Sequence, residues 1–239
     1  VDFLGPEGFE RVRSASVTVF GLGGVGCHAA MALARSGIGG LRLVDFDLVT
    51  ETSLNRIPVA GPDDCGRYKV DVLAEHMAEN CPDTDVRVDR AFFHRDTASV
   101  LLAPPPDIAV DAIDSLNPKA ELIRRCRTEG IPVFSSMGAS GRKDPSKLRT
   151  GDVFETRNCP LARQLRKYLR KRGVDGGVPC VYSIEDSPGG DLPPDREDEV
   201  LRRGRIRNRI PSLVTMPGIF GYTLAGMVLE YLAGEKKNR

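Results

Sequence analysis

FGLGGVGCHAAMALARSGIGGLRLVDFD, residues 20–47, decides how the rest of the chain is read. Val17 to Phe20 is a short β-branched and aromatic run that stops at Gly21, and an apolar stretch with helical spacing follows from about Val25 to Ser36. Strand, tight turn and helix in that order bring the unpaired backbone N–H groups of a helix start beside a strand end. Gly21, Gly23, Gly24 and Gly26 permit the turn and let the backbone approach a phosphate. Leu41 to Val44 is a second strand. Asp45, 24 residues after Gly21, ends it where a carboxylate can accept from ribose hydroxyls. Such a fingerprint binds an adenosine moiety and leaves NAD and ATP both open.

The alternation continues downstream. KVDVLAEHMAEN (69–80) carries Val70, Leu73, Ala74 and Met77 on one helical face, ahead of a strand at Val86 to Val88. DIAVDAID holds a buried-strand run from Ile108 to Ile113. NPKAELIRRCRTEG then begins with a helix-permitting Pro118 and ends at Gly130, and IPVFSS is another strand. This pattern predicts an α/β fold with a doubly wound, mainly parallel sheet over residues 1–141. Residues 142–209 change texture, with a basic helix near 160–172 and a Pro/Gly/acidic stretch, EDSPGGDLPPDREDE, that predicts a mobile loop over 185–199. Residues 210–239 open on IPSLVTMPGIFGYTLAGMVL, uncharged and close to bilayer length. Pro217 and Gly218 read as a helix start after Thr215, and Glu230 falls in the same helix, so a helix packed on the core or at a dimer interface is predicted.

With 41% hydrophobic and 28% charged residues over 239 positions, composition excludes wholesale disorder and a membrane bundle, and one main core is expected. Cys27, Cys65, Cys81, Cys126, Cys159 and Cys180 are scattered with no CxxC pair, which argues against a zinc ribbon and a disulfide framework and for a reducing compartment, the cytoplasm. His28, His76 and His94 lack metal-ligand spacing. There is no cleavable signal, and Val1 in place of Met suggests further N-terminal sequence, which for a eukaryotic source leaves anchoring at the mitochondrial outer membrane open.

Later residues separate the two nucleotides. Asn55-Arg56 follows the DFD strand end, Lys69 opens the next helix, and Asp114 sits at the C-terminal end of the DIAVDAID strand, the edge where α/β sites form. ATP brings a charge of about −4, and Arg56, Lys69 and one Mg²⁺ held by Asp114 would together supply about +4, the equipment of phosphoryl or nucleotidyl transfer. An NAD-dependent oxidoreductase leaves all three unexplained. Taken singly, each also reads as a solvated surface charge or a strand-end cap.

GLGGVG, VDFD, the Asn55-Arg56 pair, the lysine of GRYKVD and DAIDS resemble, in order and spacing over residues 14–140, the adenylating domain shared by MoeB, ThiF and ubiquitin-activating enzymes. GDVFETRNCPLARQLRKYLRKRG and VPCVYSIE narrow this, being similar to the tRNA threonylcarbamoyladenosine dehydratases. The resemblance implies ATP-dependent cyclisation of threonylcarbamoyladenosine at tRNA position 37 through an acyl-adenylate. It implies that Gly21, Gly23, Gly24 and Gly26 contact phosphates and Asp45 the ribose, that Asp47, Asn55, Arg56 and Lys69 line the polyphosphate, and that Asp114 holds magnesium. It also implies a homodimer, with an arginine near the family's N-terminus reaching into the partner's site. That segment would lie just ahead of Val1, and such an arginine can be worth about 10³ to 10⁵ in rate. Ser53 stands where most relatives have Asn, so one phosphate contact there is shortened or remade through water.

Between Thr156 and Val174 stand seven basic residues and no acidic one. Arg163, Arg166, Lys167 and Arg170 share one helical face, opposite Leu161, Leu165, Tyr168 and Leu169. Residues 142–209 carry a net charge of +6 and the remainder −5, so a near-neutral chain is polarised. A tRNA anticodon stem suits that half. Cys180 and Cys159 leave a transient thioester conceivable, although small buried cysteines are commoner and the ring closure needs no thiol. The alternative function is adenylation of the C-terminal glycine of a ubiquitin-like or sulfur-carrier protein, whose surfaces are typically acidic and small. A non-enzymatic nucleotide-sensing or RNA-binding module comes last.

Overall fold

The computed structural model describes residues 3–186 and 212–234. Along the chain run α1 (Gly5–Ser14), β1 (Ser16–Phe20), α2 (Gly24–Arg35), β2 (Gly40–Val44), α3 (Lys69–Asn80), β3 (Asp85–Asp89), α4 (Ala98–Leu101) and β4 (Ile108–Asp111). They are followed by α5 (Leu116–Glu129), β5 (Val133–Ser136), β6 (Leu148–Asp152), α6 (Pro160–Arg170), β7 (Pro179–Ser183) and α7 (Thr215–Ala233). The strands form one sheet in the order β3-β2-β1-β4-β5-β7-β6, parallel throughout except that β6 runs against β7.

Sequence explains the middle of this order. Ile108–Asp111 is buried along its whole length and Val17–Phe20 likewise, as parallel strands covered by helices on both faces require. Edge strand β3 is mostly exposed and mixes Val86 and Val88 with Asp85, Arg87 and Asp89. α5 ends at Gly130, whose φ of 72° supplies the left-handed residue that closes a helix. One core cluster, with Leu33, Leu73 and Phe220, holds α2, α3 and α7 to one face of the sheet. The other, with Ile123, Leu165 and Cys180, holds α5 and α6 to the opposite face.

Three features depart from the sequence reading or go beyond it. Residues 142–186 add two strands to the main sheet, β7 pairing with β5 and β6 with β7. The basic helix ends at Arg170, where Lys171 closes it, rather than at 172. An unanticipated α1 packs on the end of α7, and Arg11 Nε donates to the Leu232 carbonyl at 3.2 Å, satisfying a helix-terminal acceptor. The predicted mobile loop falls largely outside the described residues, of which only Glu185 and Asp186 belong to it.

α7 has Pro217 inside its first turn, a position that tolerates the missing N–H. It approaches α2 closely because Gly221 lacks a side chain. A Cβ there would lie 2.5 Å from the Val25 carbonyl oxygen and 2.7 Å from His28 Cβ. Among the described residues no helix is long and apolar enough to cross a membrane.

These contacts predict opposite effects of one substitution at two α7 glycines. At Gly226 nothing lies within 4 Å of an added Cβ, so Gly226→Ala should raise stability by about 0.5–1 kcal/mol. Gly221→Ala should lower it by about 1–3 kcal/mol. Urea-unfolding midpoints check both; a Gly221→Ala variant as stable as the wild type would mean that α2 and α7 do not need the close approach.

Candidate active site

β1 lies between β2 and β4, so the chain's outward windings diverge there, and the crevice beyond the C-terminal ends of β1, β2 and β4 is where doubly wound sheets bind ligands. β1 delivers residues 21–26 to this edge, β2 delivers 45–47, and β4 delivers 112–115. Gly21 has φ 88°, and an added Cβ would sit 2.9 Å from the backbone of Ala112. A Cβ on Gly26 would overlap the Gly21 carbonyl oxygen, so the turn closes on itself only with glycine at both positions. Gly24 lies under the Pro217 ring, 2.8 Å from an added Cβ, and beside the Arg56 stem at 3.3 Å, while the position above Gly23 is open. The α2 N-terminus is thus backed by α7 and the Arg56 loop and bare on its Gly23 side.

Asp45 is buried, and its two carboxylate oxygens accept from backbone N–H groups of Leu22 and, at 2.7 Å, of Asp47. One carboxylate therefore ties the glycine turn to the end of β2. Burial raises its carboxyl above the usual range, against the attraction of Lys69. Lys69, at the first position of α3, donates from Nζ to Asp47 Oδ2 at 2.8 Å. Its side chain is 8% exposed and that of Asp47 40%, so the ammonium is buried with its partner facing outward. Burial would discharge Lys69, but Asp45 and Asp47 outweigh it and hold the ammonium above its ordinary range.

The loop after β2 folds over a short 3₁₀ turn at Glu51–Ser53. Ser53 is buried, its hydroxyl accepting from Thr50 N at 2.9 Å and donating to Thr50 O at 2.7 Å, so it braces its own turn. Arg56 Nη1 donates to Thr52 O at 2.6 Å and to Asn55 Oδ1 at 3.2 Å. Asn55 Nδ2 donates to Ser212 O at 2.9 Å, joining this loop to the entry of α7. His28 contacts the Gly24 carbonyl through Nδ1 at 2.6 Å and stacks edge-on with Tyr222, a packing role.

Asp114 is exposed at the β4 end, and Ser115 Oγ lies 3.3 Å from its carboxylate. Beneath it is an ion pair that the sequence reading missed. Lys119 and Asp111, both 0% exposed, meet at 2.8 Å. The signal was present, because an aspartate inside an otherwise apolar strand needs a buried partner. Among the described residues no group of three or more His, Cys, Asp or Glu could hold a metal ion alone. An exposed carboxylate such as Asp114 at this edge suits Mg²⁺, which is commonly held by one or two carboxylates together with substrate phosphates.

α6 presents Arg163, Lys167 and Arg170 outward, the last over the Phe154 ring at 5.1 Å. Arg166 differs from its three neighbours. It is half-buried and bonds Thr156 through both the side-chain hydroxyl and, at 3.1 Å, the carbonyl, clamping α6 to the preceding turn. Cys159 and Cys180 are buried, and burial pushes the Cys180 thiol up to about 12, unsuited to a nucleophilic thiolate.

The chain has relatives among known proteins. It is 38% identical to tRNA threonylcarbamoyladenosine dehydratase 2 of Saccharomyces cerevisiae, an alignment covering 100% of this chain and 58% of the yeast protein. It is 37% identical to the tRNA threonylcarbamoyladenosine dehydratase of Bacillus subtilis over 76% of this chain and 72% of that one. The chain thus spans under two thirds of the yeast relative. Its structure superposes on that of Escherichia coli TcdA in complex with ATP with a TM-score of 0.84 at 31% identity, covering 97% of this chain and 90% of that one. A ThiF family model matches residues 1–239, and the chain belongs to the ThiF family.

Proposed function

We propose that the chain carries out ATP-dependent dehydration of threonylcarbamoyladenosine at position 37 of tRNA. One observation carries this reading. The edge built by the glycine turn, Arg56, Lys69 and Asp114 belongs to the same sheet against which α6 packs, with Arg163, Lys167 and Arg170 turned outward. Likeness to dehydratases over most of the chain supports the same conclusion.

The threonyl carboxylate attacks the α-phosphorus of ATP, the bond to the β-phosphate breaks, and pyrophosphate leaves. A nitrogen of the neighbouring urea then attacks the acyl carbon, closes the ring and expels AMP. The oxygen lost by the carboxylate departs on AMP, so the nucleoside loses one water. A carboxylate is a poor electrophile, and the adenylate supplies a leaving group before an intramolecular attack that needs no further encounter.

In this reading the backbone at Gly23, Gly24 and Gly26 receives phosphate oxygens at the α2 N-terminus, while Gly21, whose N–H donates to the Val44 carbonyl, makes the turn that brings phosphate close. Asp45 accepts from the ribose through lone pairs that its two backbone bonds leave. Arg56 and Lys69 neutralise the polyphosphate, Lys69 exchanging part of its contact with Asp47 for phosphate, and Asn55 holds the Arg56 loop to α7. Ser53 acts through that loop and not through a phosphate. Asp114 would hold Mg²⁺, which when bound would supply positive charge against the polyphosphate. Arg163, Lys167 and Arg170 take tRNA phosphates, while Arg166 keeps α6 in place. A homodimer, which the family likeness implies, belongs to the same reading, and six free cysteines suit the cytoplasm.

AMP and pyrophosphate should form with tRNA bearing threonylcarbamoyladenosine and not with unmodified tRNA, the nucleoside losing the mass of water. Turnover with a glycine-terminated carrier protein instead would transfer the ATP edge to the other adenylating reaction. Asp114→Ala should lower turnover by about 10²-fold or more, and full ATP cleavage by that variant would remove the metal role. Replacing Arg163, Lys167 and Arg170 together by alanine should reduce the slope of log binding constant against log salt by about 2 to 3 and leave the KM for ATP unchanged. An unaltered slope would place the tRNA elsewhere.

A further inference from the structure

We propose that Lys119 and Asp111 are positioning residues for Asp114, acting through the backbone of Ile113. The inference rests on the role given to Asp114 above. Asp111 closes β4 after three buried apolar residues, and neither it nor Lys119 is exposed at all. Asp111 Oδ2 receives Lys119 Nζ at 2.8 Å and the Ser135 hydroxyl at 2.6 Å. Asp111 Oδ1 accepts from Ile113 N at 3.1 Å, and Lys119 Nζ donates to Ile113 O at 2.9 Å.

Both polar groups of the residue preceding Asp114 are therefore held by one ion pair. From the other side the same turn is pressed by the glycine loop, since the backbone of Ala112 fills the space a side chain on Gly21 would need. Residues 112–114 are fixed between the nucleotide-binding turn and the pair.

Stability alone does not account for an ion pair at this place. Removing two charges from water offsets most of their attraction, and well-packed apolar residues of similar volume often serve as well or better. What apolar residues cannot do is hold the N–H and C=O of Ile113 at once. Lys69 provides the contrast. Its partner Asp47 faces the crevice, whereas Lys119 and Asp111 are sealed from it and touch no reacting atom.

The test compares the full chain with an Asp111→Leu/Lys119→Met variant in thermal unfolding, in Mg²⁺ titration of AMP formation with modified tRNA, and in hydrogen exchange at the Ile113 amide. The variant should unfold at or above the wild-type temperature and need about tenfold or more Mg²⁺ for half-maximal rate, as expected for a misplaced group. Its KM for tRNA should stay within about twofold, a split that a general loss of structure would not give. The Ile113 amide should exchange slowly in the wild type and at least about tenfold faster in the variant.

A stable variant with wild-type Mg²⁺ dependence would overturn the inference, as would an Ile113 amide that exchanges equally in both proteins. A variant that cannot fold would overturn it too, because stability would then explain the pair. Asp114→Ala separates the two levels. If Asp114→Ala leaves Mg²⁺ dependence unchanged, the metal reading fails. If only Asp114→Ala is impaired, the positioning role fails alone.

Discussion

A buried carboxylate at the end of β2 holds the first glycine turn in place. Asp45 accepts from the backbone N–H groups of Leu22 and Asp47, and through these bonds the loop after β1 and the loop after β2 become one unit. The α2 N-terminus can present its N–H groups to a ligand only while that turn stays closed, and Gly26 against the Gly21 carbonyl closes it. Remove the carboxylate and the buried Leu22 N–H loses its partner, a penalty of about 1–3 kcal/mol, while the part-buried Asp47 N–H is released at the same point, where strand, turn and helix meet.

Charge around this turn is arranged by depth. Lys119 and Asp111 are sealed below the β4 end, Asp45 and Lys69 form a buried layer beside the crevice, and Asp47, Arg56 and Asp114 reach its surface. Asp45 and Lys69 bond to Asp47, and Lys119 and Asp111 bond to Ile113, the residue before Asp114. Burial alone would discharge Lys69, but Asp45 and Asp47 outweigh it and keep the ammonium charged at the edge where the proposed reaction puts a polyphosphate. The outermost groups retain the freedom to exchange partners when ligand binds. α7 supports the whole from outside the sheet, with Pro217 against Gly24 and Gly221 against α2.

Much of this was legible in the sequence because it follows from periodicity and from glycine. Lys69–Asn80 matches its helical pattern residue for residue, and the α5 stop at Gly130 follows from that residue's freedom to adopt positive φ. β6 was not legible, since LRTGD lies at a sheet edge with little to bury and has no alternating apolar pattern. Arg166 looked equivalent to Arg163 and Lys167 on a helical wheel. Its inward turn depends on the Thr156 carbonyl being near, a tertiary fact. Lys119 was hidden for the opposite reason, since lysine at a helix start reads as surface charge until the aspartate inside β4 is recognised as needing a partner.

The most direct measurement of the adenylate route is an oxygen-isotope transfer. The tRNA would carry threonylcarbamoyladenosine labelled with ¹⁸O in the threonyl carboxylate, and AMP would be analysed by mass spectrometry after a single turnover with ATP and Mg²⁺. The expected result is cyclised nucleoside lacking one carboxylate oxygen and AMP carrying one ¹⁸O. Label found in released water, with AMP unlabelled, would contradict carboxylate attack on the α-phosphorus and with it the proposed chemistry.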